Sequence, residues 1–252
     1  MISKAQIKRI RSLVYKKYRQ KYRQFLLEGE RLVTAALEAQ APFQAVYLTT
    51  EFQIQAAHSR LLRLLEKSKV TVHILDEPTM NKITPTVTPP GILGVCNLPH
   101  PTFPEPKEPF NWLYLDRIQD PGNLGTLLRT ADWFGLHHIA LAPNCADPYN
   151  PKVVRGGMGA HFHFTIYCDV ALHTFHTPTH TIIGAHHQGQ ALDSNSLSSA
   201  PWVLVLGNEA RGITASNRSL CQRLIAIPRK GGGESLNVAV AGGIILHYLT
   251  QQ

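Results

Sequence analysis

The first 23 residues contain no acidic side chain, yet they hold nine cations: Lys4, Lys8, Arg9, Arg11, Lys16, Lys17, Arg19, Lys21 and Arg23. Other features are scarce along the whole chain. No apolar run approaches the ~20 residues that cross a bilayer as a helix, so neither a membrane span nor a membrane partner is expected. Cys96, Cys145, Cys168 and Cys221 are too scattered for a paired zinc or redox motif, which makes reduced thiols the default. No stretch reads as a secretory signal, and a cytoplasmic location is the expectation. A Walker pattern and a correctly spaced GxGxxG fingerprint are also missing. Gly156-Gly157-Met158-Gly159 has the composition of the latter without its spacing.

What is present is an uneven charge. Residues 1–100 carry 15 Lys+Arg against 7 Asp+Glu, whereas residues 101–252 carry 10 of each, so the net +8 sits entirely in the first part. A local positive field of this kind suits a polyanion, and Tyr15, Tyr18 and Tyr22 lie among the cations where they could stack on bases. A solvated helix face, a targeting segment and tyrosines turned to the core are the alternatives. Scarce serine, mixed Lys and Arg, and direct continuation into the strand-like residues 24–29 weaken the targeting reading.

A chain of 252 residues can bury a substantial core in two domains or one large one. Proline recurs through residues 99–109, which excludes a helix or central strand and reads as a semi-rigid linker between residues 1–98 and 110–252. The first part alternates as helix Arg31–Glu38, strand Ala45–Leu48, helix Ser59–Lys67 and strand Thr71–Leu75, a small α/β domain. The second has apolar strands at Trp112–Leu115, His138–Leu141, Thr181–Ile183, Trp202–Leu206 and Leu224–Ile227, mostly separated by helices, which predicts a parallel sheet covered on both faces. Ligands of such sheets gather beyond the carboxyl ends of the strands.

Three segments follow strands in that way. In residues 115–131, Asn123 lies near a helix N-cap, Leu124, Leu127, Leu128 and Ala131 form an apolar stripe, Arg129 lies off it, and Gly135 is a stop. In Leu206-Gly207-Asn208-Glu209 a carboxylate directly follows an apolar strand, a poor place for a core residue. In Ile227-Pro228 to Asn237 a strand meets a helix through Gly231-Gly232-Gly233, with Ser235 as the expected N-cap and Leu236, Val240, Gly243 and His247 on one helical face. Capping and surface solvation are the ordinary readings of Asn123 and Arg129 taken singly. His161, His163, His173, His176, His180, His186 and His187 cluster in sequence, but with no cysteine pair or HExxH spacing no metal is expected.

In this order the segments resemble the three signature motifs of the SpoU/TrmH family, ribose 2′-O-methyltransferases of the SPOUT superfamily. The match rests on Asn-Leu-Gly with Arg129 six residues after Asn123, on Leu-Gly-Asn-Glu-x-x-Gly, and on Ile-Pro followed by Ser-Leu-Asn-Val. Residues 24–29 are similar to the opening strand of the family's frequent ribosomal-protein-like substrate domain. The resemblance implies an α/β fold: a trefoil-knotted, parallel-sheet C-terminal methyltransferase domain and a small N-terminal RNA-binding domain. It further implies a homodimer that binds S-adenosylmethionine, with Leu206, Gly207, Ile227, Leu236 and, more weakly, Ala185 lining the cofactor site. Asn123, Arg129, Glu209, Ser235 and Asn237 are the implied catalytic group. The nine N-terminal cations and Arg155 are the candidate RNA contacts.

Arginine is too weakly acidic to serve as a base, so Arg129 is expected to stabilise charge on the reacting oxygen and clamp phosphate, with Glu209 or a phosphate oxygen taking the proton. Ribosomal RNA is the favoured substrate because of the N-terminal domain, with transfer RNA as an alternative. A catalytically silent ribosome-assembly factor is the different-class reading, and the intact motif residues argue against it. Many relatives carry Met after the Ile-Pro of the third motif, where this chain has Arg229 and Lys230.

Overall fold

The computed structural model describes residues 2–104, 109–192 and 201–251; linker residues 105–108 lie outside them. The chain order is α1 (Lys4–Ser12), α2 (Lys16–Tyr22), β1 (Gln24–Glu28), α3 (Glu30–Glu38), β2 (Phe43–Thr49), α4 (Thr50–Ile54), α5 (Ser59–Lys67), β3 (Val72–Leu75), α6 (Glu77–Ile83) and β4 (Ile92–Asn97). Then come β5 (Trp112–Asp116), α7 (Pro121–Trp133), β6 (His138–Leu141), α8 (Pro151–Gly157), β7 (Thr165–Tyr167), β8 (Thr181–Ala191), β9 (Trp202–Gly207), α9 (Ala215–Arg218), β10 (Arg223–Ala226) and α10 (Val238–Thr250).

These elements form two compact units, residues 1–100 with 149–162, and residues 101–148 with 163–252. The segment 149–162, which the sequence places beyond the linker, therefore packs in the first unit. The cause is apolar burial: Val154 joins the core of that unit, Tyr149 and Phe162 pack against it, and the Tyr149 ring lies 5.0 Å from Phe25.

The first unit is a four-stranded mixed sheet in the order β1-β4-β2-β3, with only β2 and β3 parallel. One face buries Phe25, Leu27, Val33, Leu61 and Leu65; the other buries Ile10, Leu13, Leu26, Met80 and Ile83. The basic opening segment is two helices. A capping box starts α1, where the Ser3 hydroxyl accepts from the Gln6 N–H and the Gln6 side chain accepts from the Ser3 N–H. Ile10 and Leu13 anchor this segment inward, and Lys4, Lys8, Arg9 and Arg11 face solvent.

Arg19 is corrected as an RNA contact, and Arg155 is found in an ion pair. Arg19 is only 2% exposed, and its guanidinium donates to the Leu13 carbonyl at 2.7 Å. It closes the turn between α1 and α2 from inside. Arg155 donates to the buried Glu28 carboxylate at 2.9 Å, and Glu28 also accepts from the Thr86 hydroxyl, so one edge of this partly exposed cation is paired within the fold. Lys16, Lys17, Lys21 and Arg23 remain exposed. The tyrosines divide: Tyr18 and Tyr22 stack on each other and lie beneath Lys17, Arg9 and Lys21, while Tyr15 is 62% exposed.

The second unit is a fully parallel six-stranded sheet, order β10-β8-β9-β5-β6-β7. Every residue of β5 and β9 is buried, which is why both read as unbroken apolar runs. Leu124, Leu127, Leu128 and Ala131 of α7 are fully buried as the stripe predicts, each leucine contributing about 1.5–3 kcal/mol of burial. Helix α10 packs on α7 with no room to spare: a Cβ at Gly242 would lie 2.7 Å from both Leu127 and Leu206. The face carrying Leu236, Val240 and His247 points outward, and Ala239, Ile245, Leu246 and Leu249 are the buried set. The cysteines are free thiols; burial pushes Cys145 and Cys221 up to about 11 and raises Cys96 further.

Two outcomes follow for stability. Arg19→Ala should destabilise the first unit by about 2–3 kcal/mol in urea unfolding, while Lys16→Ala and Lys21→Ala should stay within about 0.5 kcal/mol; equal small effects at all three would contradict the buried role. His180 is buried beside the Phe110 carbonyl, 3.0 Å from its Nε2, and burial lowers its pKa. Its neutral form therefore contributes stability that is complete above the unfolded value of ~6.5 and is lost as pH falls below it. The wild-type protein should lose stability relative to His180→Gln between pH 7 and pH 5, measured by thermal unfolding.

Candidate active site

The carboxyl edge of the second unit's sheet collects the chemistry-bearing loops. Strands β8, β9 and β10 are parallel neighbours, so Ala185, Leu206-Gly207 and Ile227 share that edge. The chain departs from β5 toward β6 on one side, and β9 is its neighbour on the other. That is a topological switch point, where doubly wound sheets place ligands.

At the end of β5, Asp116 is 1% exposed and its carboxylate accepts from the Thr214 N–H at 2.7 Å. Arg117 follows in the left-handed region, and its carbonyl accepts from Asn208 Nδ2 at 3.0 Å. Helix α7 is capped by Asp120 rather than Asn123: the Asp120 carboxylate accepts from the Asn123 N–H at 2.8 Å, and Pro121 sets the first helical position. Asn123 thus lies near the N-cap with its side chain released from capping.

After β9 the chain folds back on itself between Asn208 and Gly212, which exchange both backbone hydrogen bonds. A Cβ on Gly207 would lie 2.1 Å from the Ile213 nitrogen, so only glycine permits the turn. Asn208 ties it together, its Oδ1 accepting from the Ala210 and Arg211 N–H groups. Asn208 is a functional position that the motif alone does not single out; its place directly after the apolar strand is the available signal.

The third loop is closed at both ends. Arg229 donates to the Gly233 carbonyl at 3.2 Å, and Asn237, not Ser235, caps α10, its Oδ1 accepting from the Ala239 and Val240 N–H groups. Ser235 was expected to cap, but residues 235–237 are irregular and the helix begins at Val238. Ser235 is exposed and has no hydrogen-bond partner among the described residues.

The three loops meet through side chains. Asn237 Nδ2 donates to Asn123 Oδ1 at 2.8 Å, Asn123 Nδ2 donates to Glu209 Oε1 at 2.9 Å, and Asn208 Nδ2 donates to Glu209 Oε2 at 3.1 Å. The relay runs from Asn237 through Asn123 to Glu209, whose carboxylate accepts at both oxygens, from Asn123 and from Asn208. Arg129 lies on α7 less than two turns after Asn123, exposed and without a hydrogen bond or ion pair among the described residues. The structure thus brings Asn123, Glu209 and Asn237 together and leaves Arg129 and Ser235 unengaged.

The proposed cofactor residues differ in what they can offer. Leu206 turns its side chain into the packing under Gly242, so only its backbone faces outward toward the edge. Leu236 is 53% exposed, and Ile227 and Ala185 are half-buried. Strand β8 slips its register against β10 between Leu224 and Ile225, leaving Ala185 to Gly189 as a bulge. In that bulge His186 stacks on His187 at 4.4 Å and its Nε2 lies 3.2 Å from the Arg218 guanidinium; burial, with His187 and Arg218 nearby, lowers the His186 pKa. Among the other histidines, His163 pairs with Asp132, and no group of three or more metal-ligating side chains gathers among the described residues.

Comparison with known proteins agrees with this arrangement. Residues 111–247 match the SpoU rRNA Methylase family, and residues 4–94 match the MRM3-like substrate binding domain. The chain is 32% identical over 250 residues to the 23S rRNA (guanosine(2553)-2′-O)-methyltransferase RlmP of Bacillus subtilis, covering 96% of this chain and 95% of that one. A TrmH-family structure from Porphyromonas gingivalis superposes with a TM-score of 0.84 at 34% identity, covering 99% and 98% of the two chains. An AdoMet-bound rRNA methyltransferase from Sinorhizobium meliloti gives 0.85 at 28% identity, covering 100% and 96%. With its three motif loops gathered at one sheet edge and matched over most of its length, the chain belongs to the SpoU rRNA methylase family.

Proposed function

We propose that this chain is an S-adenosylmethionine-dependent ribosomal RNA 2′-O-methyltransferase, with Arg129 at the reacting oxygen and the Asn237-Asn123-Glu209-Asn208 network holding the site in shape. The observation that carries the reading is this network, in which two side-chain hydrogen bonds, Asn237 to Asn123 and Asn123 to Glu209, join all three family motifs, and a third, Asn208 to Glu209, fixes the carboxylate within its own loop. The sheet edge suits the cofactor: the Gly231 to Gly233 backbone carries no side chains, and exposed Leu236 with Ile227 offers apolar contact to a flat ring system.

S-adenosylmethionine supplies a sulfonium-activated methyl group for in-line displacement by a ribose 2′-oxygen. The chain's own task is to position that oxygen and manage its charge. Arg129 is permanently cationic, so it stabilises the developing negative charge and binds phosphate; it does not remove the proton. Glu209 already accepts at both oxygens, which commits it to holding the loops, and a phosphate oxygen of the RNA takes the proton. Ser235, unpartnered beside this network, is the remaining hydroxyl that can orient the ribose.

The proposal includes a cytoplasmic homodimer and the family's trefoil knot. Trp133, Val240 and Tyr248 expose apolar surface on α7 and α10, which supports self-association. The insertion of β9 between β5 and β8, both earlier in the chain, supports the threading.

Two measurements test the reading. Arg129→Ala should lower methyl transfer to ribosomal RNA by about 10²–10³-fold, with S-adenosylmethionine affinity by calorimetry kept within about twofold, and Arg129→Lys should recover only a small part; full activity in both variants removes Arg129 from the reaction. If the exposed N-terminal cations contact phosphate, replacing Lys4, Lys8 and Arg11 together by Gln should reduce the slope of log K against log salt by about 2. An unchanged slope removes α1 from the RNA interface.

A further inference from the structure

In the first unit, α1 and one end of the sheet enclose a cavity of about 160 Å³. This is well above the ~15 Å³ that admits one water and below the ~300 Å³ of pockets that enclose drug-sized ligands. It has room for one planar ring inserted edge first. Ala45 and Val95 give it an apolar floor, and no carboxylate lines it.

Its polar walls are preorganised. The Arg9 guanidinium lies 4.7 Å from the Tyr22 ring centroid and donates to Gln24 Oε1 at 3.1 Å, which fixes its plane. Gln24 is 3% exposed, and its Nε2 faces Gln44 Oε1 at 3.3 Å and Asn97 Oδ1 at 3.4 Å. The exposed Gln44 keeps its own NH₂ group, and Arg9 keeps further N–H groups, for a ligand. One wall is aromatic: Tyr47 and His73 stack at 5.1 Å and 15°, with Tyr47 buried and His73 outermost.

We infer that this cavity receives an unpaired nucleobase of the RNA substrate. A guanidinium and a carboxamide are the side chains that donate to the carbonyl oxygens and ring nitrogens of base edges, and an imidazole ring provides a stacking face. A base within a duplex has its edge paired and its faces stacked, so only a looped-out or single-stranded nucleotide can enter. Lys4, Lys8 and Arg11, exposed on the helix that forms one wall, draw in the flanking phosphates. The proposal rests on the methyltransferase reading only for the identity of the polymer.

The test uses the full chain with nitrogen-15 side chains, titrated with single-stranded RNA decamers of each base, a blunt RNA duplex and polyglutamate. The Gln24 and Gln44 carboxamide signals and the His73 ring should move with at least one decamer and stay in place with the duplex and polyglutamate. Thr71 lines the cavity with an exposed side chain and serves β2 only through its carbonyl, so Thr71→Trp fills the space without removing a backbone bond. Thr71→Trp and Gln44→Leu should each weaken decamer binding by about tenfold. Equal shifts with duplex or polyglutamate, or unchanged affinity in both variants, overturn the pocket. Wild-type protein that methylates ribosomal RNA without these shifts sinks the pocket alone. Protein that shows them yet binds no S-adenosylmethionine sinks the methyltransferase reading alone.

Discussion

Asn123 donates to Glu209 and accepts from Asn237, and through those two bonds segments from positions near 120, 208 and 237 are held as one surface, with Asn208 fixing the second Glu209 oxygen. Each segment otherwise leaves its own strand separately, and fixing a backbone residue costs about 1–2 kcal/mol of conformational entropy. Exposed hydrogen bonds to a carboxylate contribute little to global stability, so the network cannot be what keeps the second unit folded. That comes from beneath: Leu124, Leu127 and Leu128 of α7, Leu206 of β9 and the side-chain-free surface of Gly242 lock α7, β9 and α10 together. The packing brings the Asn123 amide within reach of both Glu209 and Asn237, and the hydrogen bonds then select the loop conformation.

The same network engages the carboxylate of the site with amides rather than with the arginine. Had Glu209 paired with Arg129, the guanidinium would be neutralised and held away from a ligand. Asn123 and Asn208 instead engage Glu209 at each oxygen, and Arg129 retains its donors and charge. Neutral amides around the carboxylate therefore keep the cation available, which is what stabilising a developing anion requires.

Much of the second unit was legible in the sequence because central parallel strands are buried on both faces and appear as continuous apolar runs, as in β5 and β9. The short edge strand β7 has only three residues and gave no such signal. In the first unit the mixed sheet and the return of residues 149–162 were hidden, because a core contact such as Val154 against the α3 and β1 residues spans more than a hundred positions. Charge alone could not distinguish Arg19 from its eight neighbours; burial of its guanidinium depends on the turn at Leu13. Asp120 caps α7 three residues ahead of Asn123, and Asn237 takes the cap of α10 from Ser235. Asp120 and Asn237 are as good caps as Asn123 and Ser235, and the choice is made by Pro121 at the first helical position and by the reach of Asn237 to Asn123.

The glycine run that marks the third loop is not explained by crowding. A Cβ at Gly231, Gly232 or Gly233 would meet nothing within 4 Å, and none of the three occupies the left-handed region. This differs from Gly207, where the fold itself leaves no space. Beside the run, Arg229 is tied to the Gly233 carbonyl, and Asn237 is tied to α10 and to Asn123. Conformational freedom is thus confined to the short stretch between two anchored points, facing the sheet edge. Crowding within the chain therefore does not account for glycine there, while the anchors hold Asn237 against Asn123 and so in line with Glu209.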